Sequence, residues 1–242
     1  MTTISLLSNV ELSNSLFALT FSRPDNWSYM AGQFARLGLD LGEEEPVFRA
    51  YSMSSSPDEN TLSFLVKRVE GGKLSPHLTA LKPGDTVLLD GEAQGNLLPE
   101  RIPGGESLWF FATGAGLAPF LSLLKEKKSI APWPHIVLAL CARTLAEAQA
   151  LAALARETGC ERLTVVASTT REDSPLTGRL PALVENGVME EKAGHALTAE
   201  AARVLLCGNP DFIKDMRALL KSRNMVSPRF GKPGQLLVES LW

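Results

Sequence analysis

The stretch that decides the fold runs from residue 108 to residue 119 and reads Leu-Trp-Phe-Phe-Ala-Thr-Gly-Ala-Gly-Leu-Ala-Pro. Its first half is an apolar run, typical of a strand that is buried on both faces. Gly114 and Gly116 allow a tight turn and a close approach to the backbone, and the helix predicted after them presents free amides to a phosphate. Pro119 stands where a full dinucleotide-binding fingerprint has its third glycine. This stretch alone therefore fits an ordinary strand-to-helix turn as well as it fits a phosphate-binding turn.

The strand-then-helix pattern repeats through residues 101–242. The predicted strands are Leu108–Thr113, Ile136–Cys141, Leu163–Ser168 and Val204–Cys207. The predicted helices are Ala118–Lys127, Leu145–Glu157, Pro181–Asn186 and Asp211–Ser222. This alternation predicts an α/β doubly wound domain, in which helices cover both faces of a parallel sheet and ligands bind beyond the carboxyl ends of the strands.

Residues 1–100 have a different pattern of short, separated strands. The predicted strands are Ile4–Leu7, Phe17–Phe21, Phe34–Leu39, Phe48–Met53, Leu62–Val66 and Thr86–Leu89. Six short strands divided by Pro, Gly and Asn turns predict an antiparallel barrel or sandwich. One helix interrupts them over Ser75–Ala80, with Ser75 as its N-cap and Pro76 at its first position. A linker is expected at residues 101–106.

Composition excludes several classes of protein. The 242 residues are 45% hydrophobic and 21% charged, which is ordinary for a globular chain. We find no apolar run long enough to span a membrane and no secretory signal. The three cysteines are far apart, so we expect no disulfide framework, no metal site and a reducing cytoplasm. The net charge of −3 gives no reason to expect nucleic acid or anionic membranes as partners.

The charge is divided unevenly between the two halves. Residues 1–100 contain 7 Lys and Arg against 13 Asp and Glu, and residues 101–242 contain 17 against 14. We therefore look for an anionic ligand in the second half. Arg143 and Arg171 follow predicted strands and Arg179 lies nearby, an arrangement suited to a phosphate monoester, although each could equally be a solvated surface arginine. Cys207 ends a strand, where it is either a core residue or part of a site.

Two segments of the first half are candidate binding elements. In the strand that contains Arg49 and Tyr51, these two side chains share one face while Ser52 points to the other, so phosphate pairing and aromatic stacking could serve one ligand. An edge-strand tyrosine beside a surface arginine is the plainer alternative. Gly71-Gly72 leads into the predicted helix and could form a second phosphate cradle or an ordinary turn. One anion site in each half suggests that the chain binds two dinucleotides.

Taken in order, these segments resemble the ferredoxin/flavodoxin–NADP(H) reductase family, especially its compact bacterial members. The segments that carry the resemblance are Arg49-Ala-Tyr-Ser, Gly71-Gly-Lys-Leu-Ser-Pro, Thr113-Gly-Ala-Gly-Leu-Ala-Pro, Thr170-Arg-Glu, Thr177-Gly-Arg and Cys207-Gly-Asn-Pro. The resemblance implies a two-domain protein, with an FAD-binding antiparallel β-barrel over residues 1–100 and an NADP-binding α/β domain over residues 101–242.

The resemblance also implies the roles of individual residues. Tyr51 would stack on the isoalloxazine next to Ala50, Arg49 would contact the FAD pyrophosphate, and Ser52 would lie near flavin N5. The amides of Lys73, Leu74 and Ser75 would hold the same FAD pyrophosphate. Thr113, Gly114 and Gly116 would line the pyrophosphate and nicotinamide of NADP(H). Arg143, Arg171 and Arg179 would bind the 2′-phosphate, and Cys207 would pack beside the nicotinamide. Glu239 resembles a family carboxylate near the active site, which makes Ser52, Cys207 and Glu239 the catalytic candidates. Leu241 stands where close relatives have tyrosine, so Trp242 would stack on either the isoalloxazine or the adenine.

By this resemblance, the expected activity is hydride exchange between NADPH and FAD, coupled to one-electron transfer with ferredoxin or flavodoxin by a monomer. An NAD(P)H:flavin or quinone reductase on the same scaffold is the nearest alternative. A non-enzymatic flavin- or nucleotide-binding regulatory module is the other. Reductase subunits that carry or join an iron–sulfur cluster fit less well, because the chain lacks a suitable group of cysteines.

Overall fold

The computed structural model describes residues 1–42 and 44–240. The strands are β1 (Thr2–Ser13), β2 (Leu16–Ser22), β3 (Phe34–Leu39), β4 (Val47–Ser52), β5 (Thr61–Lys67), β6 (Thr86–Gln94), β7 (Ser107–Thr113), β8 (His135–Ala142), β9 (Leu163–Thr169), β10 (Ala202–Cys207) and β11 (Leu236–Glu239). The α-helices are α1 (Ser75–Ala80), α2 (Ala118–Glu126), α3 (Leu145–Glu157), α4 (Leu180–Glu185), α5 (Val188–Ala193) and α6 (Pro210–Ser222). Two 3₁₀ turns cover Pro99–Arg101 and Gly114–Leu117.

The first six strands form one antiparallel sheet in the order β4-β3-β6-β1-β2-β5. Met53, directly after β4, bridges to Phe64 of β5, so the two outer strands meet and the sheet closes. Phe21 and Phe64 fill the interior with their rings edge to face. Closure removes the unpaired strand edges that an open sheet would expose. The predicted antiparallel barrel is confirmed.

The second sheet has five parallel strands in the order β11-β10-β7-β8-β9. From the central β7, the chain proceeds outward through β8 and β9 and later returns to the other side as β10 and β11. This reversal opens a crevice at the carboxyl ends of β7 and β10, the place where such sheets bind ligands. The sequence-based prediction has four strands here and omits β11. That strand is only four residues long and exists through its pairing with β10.

The side chains of β7 alternate between two cores. Phe110 stacks on Phe120 of α2 with ring centroids 4.6 Å apart. Trp109 and Phe111 lie on the opposite face with α4, α5 and α6. Helices thus cover both faces, which confirms the doubly wound prediction, although α5 was not among the predicted helices.

The barrel packs on the face of the parallel sheet that carries α2 and α3. Leu16, Leu65 and Leu97 of the barrel side are fully or almost fully buried in the same cluster as these helices. Lys125 of α2 adds a partly exposed ion pair to Glu59 at 3.3 Å. Because exposed pairs contribute little, the apolar contact is what stabilises this seam. The seam brings the ends of β4 and β5 next to the ligand-binding edge of the parallel sheet.

Candidate functional site

The three residues predicted to be catalytic meet where the barrel touches the parallel sheet. Cys207 ends β10 and stands opposite Glu239 of β11. Ser52 ends β4, and its hydroxyl donates a hydrogen bond to Glu239 Oε1 at 3.2 Å across a sequence separation of 187 residues. All three residues are buried. The fold therefore assembles one polar cluster from both sheets, while the catalytic roles of its members stay predictions.

Burial controls protonation in this cluster. It raises the pKa of Glu239 from an ordinary 4.5 to about 7, with the Ser52 hydrogen bond acting in the opposite direction. Burial also raises the pKa of the Cys207 thiol, and the nearby Glu239 charge raises it further. Cys207 is consequently a neutral thiol near pH 7, poorly suited to act as a nucleophile. Glu239 can accept or release a proton close to neutrality.

Two glycines allow the backbone to approach the cluster closely. Gly95 follows β6 with a φ of +113°, and a Cβ there would lie 2.7 Å from Glu239 Oε2. A Cβ on Gly116 would lie 2.3 Å from the carbonyl oxygen of Cys207. Any side chain at residue 116 would push the turn after β7 away from the end of β10. Gly116 thus has a packing role that does not depend on any ligand.

No side chain in the described part of the chain caps the amides of the turn after β7. Over the described residues, neither the 3₁₀ turn that starts at Gly114 nor α2 after it has a side-chain N-cap. By contrast, α3 is capped by Thr144 and α6 by Asn209. Thr113 Oγ1 accepts hydrogen bonds from the Asn209 backbone at 3.0 Å and from its side chain at 3.2 Å, which ties the two sides of the crevice together. Uncapped amides at such a position suit a phosphate.

The three predicted coenzyme arginines line the same cavity, which has a volume of about 1120 Å³. The Arg171 amide donates to the Arg143 carbonyl at 3.0 Å, and Arg179 lies just before α4. All three side chains are exposed, and Thr113 and Gly114 line the cavity with them. Guanidinium groups at one end and uncapped amides at the other fit a coenzyme that carries both a phosphate monoester and a pyrophosphate.

A partly buried ion pair, which the sequence did not reveal, closes the barrel side of this cavity. Lys67 at the end of β5 contacts Glu147 of α3, with Nζ at 3.4 Å from Oε1 and 3.5 Å from Oε2. Burial lowers the pKa of Lys67, and the Glu147 charge opposes this effect. The motif Thr144-x-x-Glu147 could have signalled only the start of a helix, because the link to Lys67 depends on how the domains pack.

Two of the four predicted phosphate-binding residues of the barrel share a cavity. Arg49 and Lys73 line a shallow space of about 680 Å³, together with Phe48 and Glu45. The exposed Arg49 guanidinium donates to the Phe48 carbonyl at 2.7 Å. Arg36 also lines this space and pairs with Asp90 at 2.6 Å. A depression with three cationic side chains fits a pyrophosphate, whereas the Glu45 carboxylate in the same lining opposes it.

Three further residues of the predicted flavin site, Ala50, Tyr51 and Leu74, lie in β4 and at the start of α1. Tyr51 is half-buried and burial raises its pKa to about 12, so it is a neutral aromatic surface near pH 7. Ala50 lies beside it in β4, and Leu74 is buried at the start of α1. These positions are compatible with flavin contact, which stays a prediction.

One prediction on the barrel side is wrong. Ser75 is not the N-cap of α1, because that position belongs to Leu74 and no side chain caps the helix. The Ser75 hydroxyl instead accepts a hydrogen bond from the Val69 amide at 3.0 Å, which closes the glycine-containing turn before the helix. The role predicted for Trp242 concerns a residue that lies outside the described part of the chain.

Known proteins match this chain in both halves. A family model described as an oxidoreductase FAD-binding domain matches residues 3–97, and one described as an oxidoreductase NAD-binding domain matches residues 110–218. No helix within the described residues is long and apolar enough to cross a membrane.

Whole-length relatives agree with these matches. The flavodoxin/ferredoxin–NADP reductases of Escherichia coli and Shigella flexneri are each 39% identical over 235 residues, covering 95% of this chain and 94% of the relative. A crystal structure of a ferredoxin NADP⁺ reductase from Neisseria gonorrhoeae with bound FAD and NADP superposes with a TM-score of 0.93 at 32% identity, covering 100% of this chain and 98% of that one. The chain belongs to the flavodoxin/ferredoxin–NADP reductase family.

Proposed function

We propose that the protein is an FAD-dependent ferredoxin (flavodoxin)–NADP⁺ reductase that exchanges electrons between NADPH and ferredoxin or flavodoxin. The observation that carries the proposal is the buried contact between Ser52 of the barrel and Glu239 of the parallel sheet. It joins the two predicted cofactor-binding domains at a single polar cluster. The activity named for the relatives, and the FAD and NADP bound in the Neisseria structure, agree with this assignment.

We assign each cofactor to one domain, with a boundary at residue 100. FAD would be held by Arg49, Ala50, Tyr51, Ser52, Lys73, Leu74 and Ser75. NADP(H) would be held by Thr113, Gly114, Gly116, Arg143, Arg171 and Arg179. The chemistry that bound FAD supplies is hydride exchange with NADPH and the release of single electrons. The chain itself contributes binding, orientation and control of protons.

The polar cluster has two tasks in this proposal. Cys207, a neutral and buried thiol, limits the space at the end of β10 and thereby fixes how a ring can approach. Ser52 holds the Glu239 carboxyl in place, and Glu239 can exchange a proton near pH 7 because burial raises its pKa to about 7. Burial of the three groups also keeps water away from the reacting atoms.

The arginines account for a preference for NADPH. A 2′-phosphate paired with guanidinium groups gains charge-assisted hydrogen bonds that NADH cannot form. Arg143 and Arg171 each follow a strand, and a hydrogen bond from the Arg171 amide to the Arg143 carbonyl holds the two residues next to each other. Both guanidinium groups can therefore bind one phosphate. We also propose a cytoplasmic monomer without nucleic-acid or membrane partners, and three free cysteines agree with a reducing compartment.

The coenzyme assignment is tested by steady-state kinetics with NADPH and NADH. We expect Arg143→Ala and Arg171→Ala each to lower kcat/KM for NADPH by about tenfold or more and to leave kcat/KM for NADH nearly unchanged. Arg156→Ala is the matched control, since this exposed arginine lies in the last turn of α3 away from the cavity. An unchanged preference for NADPH in both variants would show that the phosphate binds elsewhere.

The carrier is tested separately. The FAD-loaded protein should reduce ferredoxin or flavodoxin faster than free flavin or a quinone, at equal concentrations. The reverse order would favour the alternative reductase on this scaffold. Failure to react with any acceptor, combined with tight nucleotide binding, would favour a regulatory module.

A further inference from the structure

The ion pair between Lys67 and Glu147 is largely shielded from solvent, and the proposed reaction does not use it. The Lys67 side chain is 14% exposed and that of Glu147 is 5% exposed. Both carboxylate oxygens are 3.4–3.5 Å from Nζ, longer than a well-formed charge-assisted hydrogen bond. A buried pair with loose geometry recovers only part of the cost of removing its charges from water. Lys67 can therefore exchange Glu147 for a better anionic partner.

The surroundings favour such an exchange. Arg143 and Arg171 are close enough to lower the pKa of Lys67 by repulsion, so the three cations face one space. Glu147 Oε1 lies 3.6 Å from the position that a Cβ on Gly114 would take, beside the turn with the uncapped amides. A pyrophosphate on those amides would come close to both members of the pair.

Glu147 differs from the other carboxylates that line the cavity. Glu70, Asp211 and Asp215 are exposed, so water screens their repulsion of an anion. Glu147 is buried, and its charge acts through a medium of low polarity. It thus repels a coenzyme phosphate more strongly than its neighbours do, and at the same time it attracts the Lys67 ammonium.

We propose that Glu147 is a positioning residue that withholds Lys67 from the coenzyme and so weakens the binding of NADP(H). This inference rests on the proposed function, because it assigns the cavity to that coenzyme. The weaker binding helps the oxidised coenzyme to leave, which leaves the site open to the next molecule. Glu147 acts through Lys67 and through its own charge, and it contacts no reacting atom.

The test measures the Kd of NADP⁺ for the FAD-loaded protein by isothermal titration calorimetry. Glu147→Gln keeps the shape of the side chain and removes its charge, so we expect the Kd to fall by about fivefold, within the range of coupling between contacting charges. Lys67→Met leaves the carboxylate without its cation, and the Kd should rise by about tenfold or more. The double variant Lys67→Met/Glu147→Gln should return to within about threefold of the wild-type Kd.

The control is Glu157→Gln, which removes an exposed carboxylate at the other end of α3 and should leave the Kd unchanged. Urea unfolding of each variant shows that the fold is kept. A Kd for Glu147→Gln that equals or exceeds the wild-type value would overturn the inference. So would a double variant as weak as Lys67→Met, because Lys67 would then act by itself. A wild-type protein that does not bind NADP⁺ at all would overturn the proposed function together with the inference.

Discussion

Glu239 allows a quantitative prediction about stability and pH. Its carboxyl is buried, accepts one hydrogen bond from Ser52 and has a pKa raised by burial to about 7 against an ordinary 4.5. The substitution Glu239→Gln keeps the size of the side chain and an oxygen that accepts the Ser52 hydrogen bond. The glutamine amide is neutral, so no charge has to be buried at any pH. Its effect on the free energy of unfolding should therefore depend on pH.

The sign follows from proton binding. Between pH 4.5 and about 7 the folded protein holds a proton on Glu239 that the unfolded chain has lost. The Glu239 contribution to stability consequently falls as pH rises through this window and is constant above it. The change from 4.5 to about 7 corresponds to about 3 kcal/mol, which for a chain of this length is about 6 to 12 °C in Tm.

The assay is urea unfolding of the wild type and Glu239→Gln from pH 5 to pH 8, followed by far-UV circular dichroism. The wild type should lose stability relative to the variant as pH rises, and the difference should level off above about pH 7. Glu157→Gln, an exposed change, should run parallel to the wild type. A constant difference between wild type and Glu239→Gln across this range would refute the assignment of a raised pKa to this carboxyl.

Two further predictions concern the same region. Gly116→Ala places a methyl group against the Cys207 carbonyl and should destabilise the protein by about 1–3 kcal/mol in urea unfolding. The control Gly104→Ala, with nothing within 4 Å of the added Cβ, should have little effect. Equal losses of stability in the two variants would contradict the close packing at Gly116. Ser52→Ala removes the hydrogen bond that lowers the pKa of Glu239, so the Glu239 carboxyl should titrate higher. Infrared difference spectra of its carbonyl stretch over pH would measure this, and a midpoint that stays or falls would contradict it.

The elements that sequence predicts well are those whose local pattern is strong. Residues 108–113 are continuously apolar and form the central strand β7, and the Pro-rich and Gly-rich turns correctly separate the barrel strands. The pattern fails where an element depends on a distant partner. The four residues of β11 become a strand because β10 lies beside them. At Ser75, two local uses of one hydroxyl compete, and closure of the turn to Val69 replaces capping.

The residues of the candidate site fall into the same two groups, those that the local sequence identifies and those that depend on a distant partner. Arg143, Arg171 and Thr113 could be found because strand ends in this fold converge on one edge. The Lys67–Glu147 pair could not, because it joins β5 to α3 and depends on how the barrel sits on the sheet. The uneven charge of the two halves favours an anionic ligand in the second half, yet a lysine of the barrel, Lys67, closes the cavity there. Local sequence indicates the chemistry of a residue, and only the packed domains determine its partner.

The most direct test of the central claim is the reaction of the purified protein with NADPH in the absence of oxygen. The protein should be yellow after desalting, and mixing with a slight excess of NADPH should bleach the flavin absorbance band. The band should return when oxidised ferredoxin or flavodoxin is added. Bleaching should be much slower at the same concentration of NADH, because only NADPH carries the phosphate that Arg143 and Arg171 would bind. A colourless protein, or a flavin band that NADPH leaves unchanged, would contradict the account.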